Sequence, residues 1–279
     1  MTEPPVPDDV QAATRQHLHA LDAVAPGLVT ALYVTGSVAL GDYQQGRSDI
    51  DFMAFLSRPV TDPQTVGRLA EVHSGLAGPA DYDGNYVALA CVPDVPDDEP
   101  SAPHVVGGQF HADEPNHQLT PATWAEFARY GIAIRGPRPA QLGIRVSRGR
   151  LSEWTLHNLN AYWRHQAEEG IQTLRAHDPG TGIGAGVVAW MALGPARLHY
   201  TLATGDIASK AAAGEYAAGL FPAYRPVLSS AVTWRATGQG DFTYGDWIAC
   251  AELTLHIVAD ANRRWGHRMP AVSEPGEPA

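Results

Sequence analysis

The sequence is poor in cysteine and has no long apolar run, and each shortage excludes a class of protein. Its 279 residues include only Cys91 and Cys250, both in apolar surroundings. We therefore expect buried free thiols in a reducing compartment rather than a disulfide. No apolar stretch approaches the roughly 20 residues that a membrane span needs. The first residues lack the basic and hydrophobic segments of a secretory signal, so a cytoplasmic protein without a membrane partner is expected.

Positive charge is also scarce, because the net charge is −11 and the basic residues form no stripe. Binding of DNA or RNA depends on neutralising phosphates with lysine and arginine, so the composition argues against a nucleic-acid partner. An acidic surface suits a cationic small molecule better. The chain has 18 arginines but one lysine, Lys210. Its compact ammonium group makes it a candidate phosphate contact. The alternative is that this lysine occupies a solvent-exposed helix start by chance and has no function.

Apolar periodicity divides the chain into an α/β (α+β) part and a helical part. The first part, residues 10–148, alternates predicted helices with buried strands at 31–34, 52–56 and 86–92, whereas residues 149–269 contain only helical patterns. The helices predicted there are 152–176, 187–204, 209–220, 225–237 and 244–265. The proline- and acid-rich ends, 1–9 and 270–279, are predicted to be disordered tails.

One short segment concentrates the chemistry. Thr35-Gly36-Ser37 follows a buried strand, and Ser48-Asp49-Ile50-Asp51 leads into the next one. Two carboxylates separated by one intervening residue on a strand point the same way. Such a pair suits Mg²⁺, which is bound by one or two carboxylates plus substrate phosphates. Backbone N–H groups and a hydroxyl at the glycine-serine turn can hold a triphosphate. An isolated Asp-x-Asp on an exposed strand is common, but here both flanking strands are apolar.

This arrangement resembles the nucleotidyltransferase superfamily, whose signature is Gly-Ser followed at similar spacing by Asp-x-Asp. Residues 196–210, which include Tyr200-Thr201-Leu202 and Ser209-Lys210, are similar to the C-terminal domain of streptomycin/spectinomycin adenylyltransferases. Residues 119–137 are similar to their interdomain region, so the resemblance touches most of residues 28–265. It implies a small domain with a mixed sheet and flanking helices, followed by an all-helical bundle.

The resemblance also implies roles for individual residues. Asp49 and Asp51 would hold Mg²⁺, with Asp83 as a third metal ligand and as the general base. The resembling enzymes carry glutamate at that position, so Asp83 reaches one methylene less far. Asp81 lies two residues earlier, so its side chain would project from the same face of the strand, and it is an alternative base. Both aspartates could instead be solvated residues of the turn before the strand. The residues expected to bind the nucleotide are Gly36, Ser37, Ser48, Arg197 and Lys210.

The function implied is Mg²⁺-dependent transfer of AMP from ATP to a hydroxyl of a small molecule, with an aminoglycoside-type antibiotic as the candidate acceptor. The chain departs from the streptomycin enzymes, because neither residues 104–114 nor residues 177–187 contain the tryptophan those enzymes use. Two alternatives remain: adenylylation of a protein side chain, and a nucleotide-binding module without turnover. A monomer or a weak dimer is expected.

Overall fold

The structure is a computed structural model that describes residues 5–76, 82–88, 102–112 and 114–268. The chain divides into two compact units, Met1–Ser147 and Arg148–Ala279. The predicted domain boundary at 148/149 lies one residue from this division. Cys91, Asp81 and the predicted C-terminal tail lie outside the described residues.

The first unit is built on a six-stranded mixed sheet in the order β5-β4-β3-β2-β1-β6. Strands β2 and β3 run parallel, and the other neighbouring strands are antiparallel. This confirms the predicted α+β class with a mixed sheet. The third strand begins four residues earlier than predicted, and residues 89–92 of that prediction lie outside the described residues. The strands are β1 Val29–Val34, β2 Ile50–Leu56, β3 Tyr82–Ala88, β4 His104–Val106, β5 Gln109–His111 and β6 Ile132–Arg135.

Helices cover both faces of the sheet, because alternate residues of the central strands are buried in different cores. On β1, Leu32 and Val34 pack in the core with helices α1 (Asp8–Val24) and α3 (Pro63–Ser74). Tyr33 packs in the opposite core with helix α4 (Pro121–Tyr130). A helix of four residues, α2 (Gly36–Ala39), follows β1.

Local sequence signals explain where these helices begin. Asp62 accepts a hydrogen bond from Thr65 N at 2.8 Å, and Thr120 accepts one from Thr123 N at 3.1 Å. A proline follows each of these N-cap residues. At this first helical position a backbone N–H would have no acceptor within the helix, so proline costs no hydrogen bond there. Helix α1 begins at Asp8, so the predicted disordered tail, 1–9, extends two residues too far.

A buried polar network lies beneath the start of β3. His17 contacts the hydroxyl of Tyr82 through Nδ1 at 3.1 Å and that of Tyr86 through Nε2 at 2.8 Å. His73 Nε2 contacts the same Tyr86 hydroxyl at 2.6 Å. A neutral imidazole has one N–H donor and one acceptor nitrogen, and a tyrosine hydroxyl can both donate and accept. The two histidines and two tyrosines can therefore form a continuous series of hydrogen bonds. Burial lowers the pKa of His17 well below its ordinary value and that of His73 to about 4, so both rings are neutral.

The second unit is a helical bundle. Two of its helices, 225–237 and 244–265, have the predicted bounds. The predicted helix 152–176 is interrupted by a π-helical turn, Leu159–Trp163. One prediction is wrong: strands were not expected here, but β7 (Gly182–Ile183) pairs with β8 (Phe242–Thr243). The helices are α5 Arg148–Asn158, α6 Arg164–Leu174, α7 Ala185–Thr204, α8 Lys210–Leu220, α9 Arg225–Thr237 and α10 Tyr244–Trp265.

The bundle core is formed by the apolar faces of these helices, and it includes Leu193, Leu228 and Ile257, all fully buried. Cys250 is a buried free thiol in this core, and burial raises its pKa. Within the described residues, no helix combines the length and apolar character required to cross a bilayer.

Lowering the pH is expected to destabilise the protein through His73. Above pH 6.5 the ring is neutral in the folded and unfolded states, so its protonation contributes nothing. Between pH 6.5 and about 4, the pKa in the fold, the unfolded state binds the proton. The free energy of unfolding then falls by about 1.4 kcal/mol per pH unit for this histidine. Urea unfolding at pH 8, 6 and 4.5 measures the slope.

His73→Gln should reduce this slope by the contribution of one histidine, since glutamine does not titrate, whereas the buried His17 keeps its own contribution. His19→Gln, at an exposed position of the same unit, is the matched control and should retain the wild-type slope. Equal slopes for His73→Gln and the wild type would contradict the prediction.

Candidate functional site

Three residues of the predicted site, Gly36, Asp51 and Asp83, lie at one edge of the sheet. Strand β1 ends where the parallel strands β2 and β3 begin, since Val34 pairs with Phe52 and Ile50 pairs with Tyr82. Asp51 and Asp83 are register partners on β2 and β3. Side chains of paired residues project from the same face of a sheet. The structure therefore brings the glycine-serine turn, Asp51 and Asp83 to one place.

Gly36 lies directly against the carboxylate of Asp51. Its φ of +61° is in the left-handed region, and a Cβ atom added there would lie 1.8 Å from Asp51 Oδ2. Both the conformation and the close approach require glycine. The preceding N–H, that of Thr35, donates to Asp51 O at 2.9 Å and holds the turn on β2.

Two polar groups of the turn are suited to an anion. The N–H of Gly36 donates to a carboxylate oxygen, Glu126 Oε1, at 2.7 Å. The hydroxyl oxygen of Ser37 is buried and finds no hydrogen-bond partner among the described residues. Buried hydroxyl groups are normally paired, so an unpaired one beside a backbone N–H indicates a place for a ligand oxygen.

Sequence reasoning did not find Glu126. It lies on α4, 90 residues after Gly36, between Trp124 and Phe127, which pack in the core. The helix was predicted from the spacing of its apolar residues. That spacing does not indicate what the glutamate contacts. The contact depends on the packing of α4 against the sheet.

The carboxylate of Asp83 is held by a hairpin. Gly107 N donates to Oδ2 at 2.8 Å and Gly108 N donates to Oδ1 at 2.9 Å. These two glycines form the turn between β4 and β5, with φ values of +56° and +70°. The hairpin thus orients the side chain predicted to be the base, while each carboxylate oxygen retains a second lone pair.

The three predicted metal ligands do not form a three-acid cluster. Asp49 is exposed and precedes β2, and Asp83 is bound to the hairpin. Among the described residues there is no group of three or more His, Cys, Asp or Glu side chains that could hold a metal ion. Ser48 has a structural contact, because its Oγ accepts a hydrogen bond from Gln44 N at 3.1 Å and closes the loop before β2.

The other two predicted nucleotide contacts belong to the second unit. Lys210 is the exposed first residue of α8, after the N-cap Ser209. Arg197 lies on α7, and its Nε donates to Ala208 O at 2.9 Å, in the loop that precedes α8. The phosphate roles of both residues, and the nucleotide role of Ser48, stay predictions.

Comparison with known proteins bears on the family and the fold. Residues 15–82 match the nucleotidyltransferase domain family. No curated protein matches the sequence. The structure is similar to spectinomycin adenyltransferase AAD(9) from Enterococcus faecialis, solved with ATP and spectinomycin, with a TM-score of 0.65 and 16% sequence identity over 89% of this chain and 98% of that one.

The predicted resemblance to nucleotidyltransferases is thereby confirmed. The match covers the strand, turn and acidic pair on which the prediction was based, and the likeness in structure extends over both units. Residues 15–82 of the first unit thus match a nucleotidyltransferase domain, and the fold of the chain is similar to that of an adenyltransferase.

Proposed function

We propose that this protein transfers AMP from ATP to a hydroxyl group of a small molecule. The observation that carries the proposal is the contact between Gly36 and Asp51, in which an added Cβ would lie 1.8 Å from the carboxylate oxygen. A turn that can hold phosphate and an acid that can hold a metal ion are thus immediate neighbours. The similar adenyltransferase was solved with ATP and spectinomycin, which supports ATP as the co-substrate and an aminoglycoside-type acceptor.

The acids at the turn have the donor chemistry that Mg²⁺ requires. Magnesium is usually bound by one or two carboxylates together with substrate phosphates, so a cluster of three acids is not needed. Asp51, with the exposed Asp49 two residues before it, would hold the ion. When bound, Mg²⁺ would neutralise negative charge on the triphosphate during displacement at the α-phosphorus.

The turn itself would bind phosphate oxygens. Ser37 Oγ is buried without a partner among the described residues, and an unsatisfied buried hydroxyl costs about 1–3 kcal/mol. A phosphate oxygen at this position would remove that cost. The Gly36 N–H already donates to an anionic oxygen at 2.7 Å, so the turn is compatible with negative charge.

Asp83 would act as the general base. The acceptor hydroxyl gives its proton to the carboxylate while its oxygen attacks the α-phosphorus. The bond between the α-phosphorus and the bridging oxygen breaks, and pyrophosphate leaves. Gly107 and Gly108 hold the carboxylate in one orientation, which a base needs in order to reach the proton.

The same two hydrogen bonds favour a second candidate function. If holding the hairpin is the whole role of Asp83, the domain binds a nucleotide without turnover. The third possibility, adenylylation of a protein side chain, uses the same chemistry as the main proposal and differs only in the acceptor.

Asp51→Asn is expected to lower turnover by about 100-fold or more, because it removes a charge from the metal site. The assay is pyrophosphate release from ATP and Mg²⁺ with a panel of aminoglycoside and aminocyclitol acceptors. Asp241→Asn, at an exposed position of the second unit, is the matched control. Near-wild-type turnover in Asp51→Asn would contradict the mechanism, and labelled AMP on a protein would identify the protein-acceptor alternative.

Asp83→Asn and Asp83→Glu separate the two roles of Asp83. Both changes disturb the hydrogen bonds to the hairpin, so both should lower the melting temperature. Only Asp83→Glu keeps a carboxylate, so it should retain activity, whereas Asp83→Asn should lose about 10²–10⁴-fold in kcat. Equal kcat values for the two folded variants would show that Asp83 is not the base.

Gly36→Ala is expected to be much more destabilising than a glycine substitution at a similar φ in open space. Gly27, with φ +72° and no atom within 4 Å of an added Cβ, is the matched control. Gly27→Ala should cost about 1–2 kcal/mol for the left-handed backbone. Gly36→Ala should cost about 2–5 kcal/mol, because it also displaces the Asp51 carboxylate. Urea unfolding measures both, and equal costs would refute the close approach.

A further inference from the structure

We propose that Glu126 is an internal anion that occupies the Gly36 N–H in the nucleotide-free protein and is displaced when a phosphate group binds. Glu126 would then set the affinity for the nucleotide, although it belongs to neither the acidic pair nor the Gly-Ser signature. The inference rests on the proposed nucleotide site and adds a residue to it.

The contact has the geometry of a strong hydrogen bond. Glu126 Oε1 lies 2.7 Å from Gly36 N, which is within the range of hydrogen bonds to ionised acceptors. Such bonds are stronger than neutral ones, so the carboxylate is a real competitor for this donor. A phosphate oxygen that binds to the same N–H has to replace it.

The position of the carboxylate is determined by a well-anchored helix. Trp124 and Phe127, on either side of Glu126 in the sequence, are 1% and 0% exposed. The helix starts at Pro121 behind the Thr120 cap. Because the helix cannot move without disrupting this core, release of Gly36 requires rotation of the glutamate side chain. This change is small enough to accompany binding of a ligand.

The turn is also more suited to an incoming anion than to the glutamate alone. Glu126 satisfies the N–H of Gly36 but leaves Ser37 Oγ without a partner among the described residues. A phosphate group carries several acceptor oxygens and can meet both donors. At the same time Gly36 already lies against the Asp51 carboxylate, so a second carboxylate beside a triphosphate adds repulsion.

Glu126→Gln tests this inference, because glutamine keeps the acceptor oxygen and the length of the side chain but removes the charge. Binding of ATP and of inorganic triphosphate to the full chain is measured by calorimetry, with Mg²⁺ and with EDTA. We expect about fivefold to tenfold tighter binding of both ligands, which is the difference between a charged and a neutral hydrogen bond. The nucleotide-free variant should melt at a lower temperature than the wild type.

Glu71→Gln provides the matched control, since Glu71 is exposed on α3 of the same unit and loses the same charge. It should change neither affinity nor melting temperature. Glu126→Ala, which removes the acceptor altogether, should bind triphosphate at least as tightly as Glu126→Gln, provided that its circular dichroism is that of the wild type.

Three outcomes overturn the inference. Unchanged affinity in Glu126→Gln would show that the carboxylate does not compete. Weaker binding that appears only with Mg²⁺ would make Glu126 a contact of the metal-nucleotide complex. Absence of nucleotide binding in the wild type and in both Glu126 variants would overturn the proposed nucleotide site as well, so the two failures are distinguishable.

Discussion

The structure of the site depends on the close approach of one backbone turn to one carboxylate. Thr35 N–H bonds to Asp51 O, and this hydrogen bond extends the pairing of β1 and β2 by one step. The chain must then leave the sheet past the Asp51 side chain, with a left-handed backbone and no Cβ. Glycine alone meets both conditions at low cost. The neighbouring serine is consequently placed beside the acids rather than elsewhere on the sheet edge.

Backbone N–H groups hold two acidic side chains around this turn. Glu126 accepts from Gly36, and Asp83 accepts from Gly107 and Gly108. Such donors orient a carboxylate through their dipoles without neutralising its charge by a countercharge. Carboxylate oxygens held in this way can still bind a divalent cation through their remaining lone pairs.

Much of the fold follows from local signals in the sequence. Helices α9 and α10 have the predicted bounds, and the caps Asp62 and Thr120 with the prolines behind them explain two helix starts. The pairing of β7 with β8 was missed, since strands of two residues have too few side chains to show alternation. The π-helical turn inside the predicted helix 152–176 was missed because it leaves the apolar pattern nearly unchanged.

By itself, the sequence determined the chemistry-bearing turn and acids, because Gly36, Ser37 and Asp51 lie close together along the chain between two apolar strands. Only the tertiary structure decided which distant groups complete the site. The carboxylate of Glu126 and the N–H groups of Gly107 and Gly108 come from other elements, and no local pattern encodes their contacts. The physical reason is that periodicity reports which face of an element is buried, whereas a hydrogen bond between elements depends on how the packed cores set them side by side.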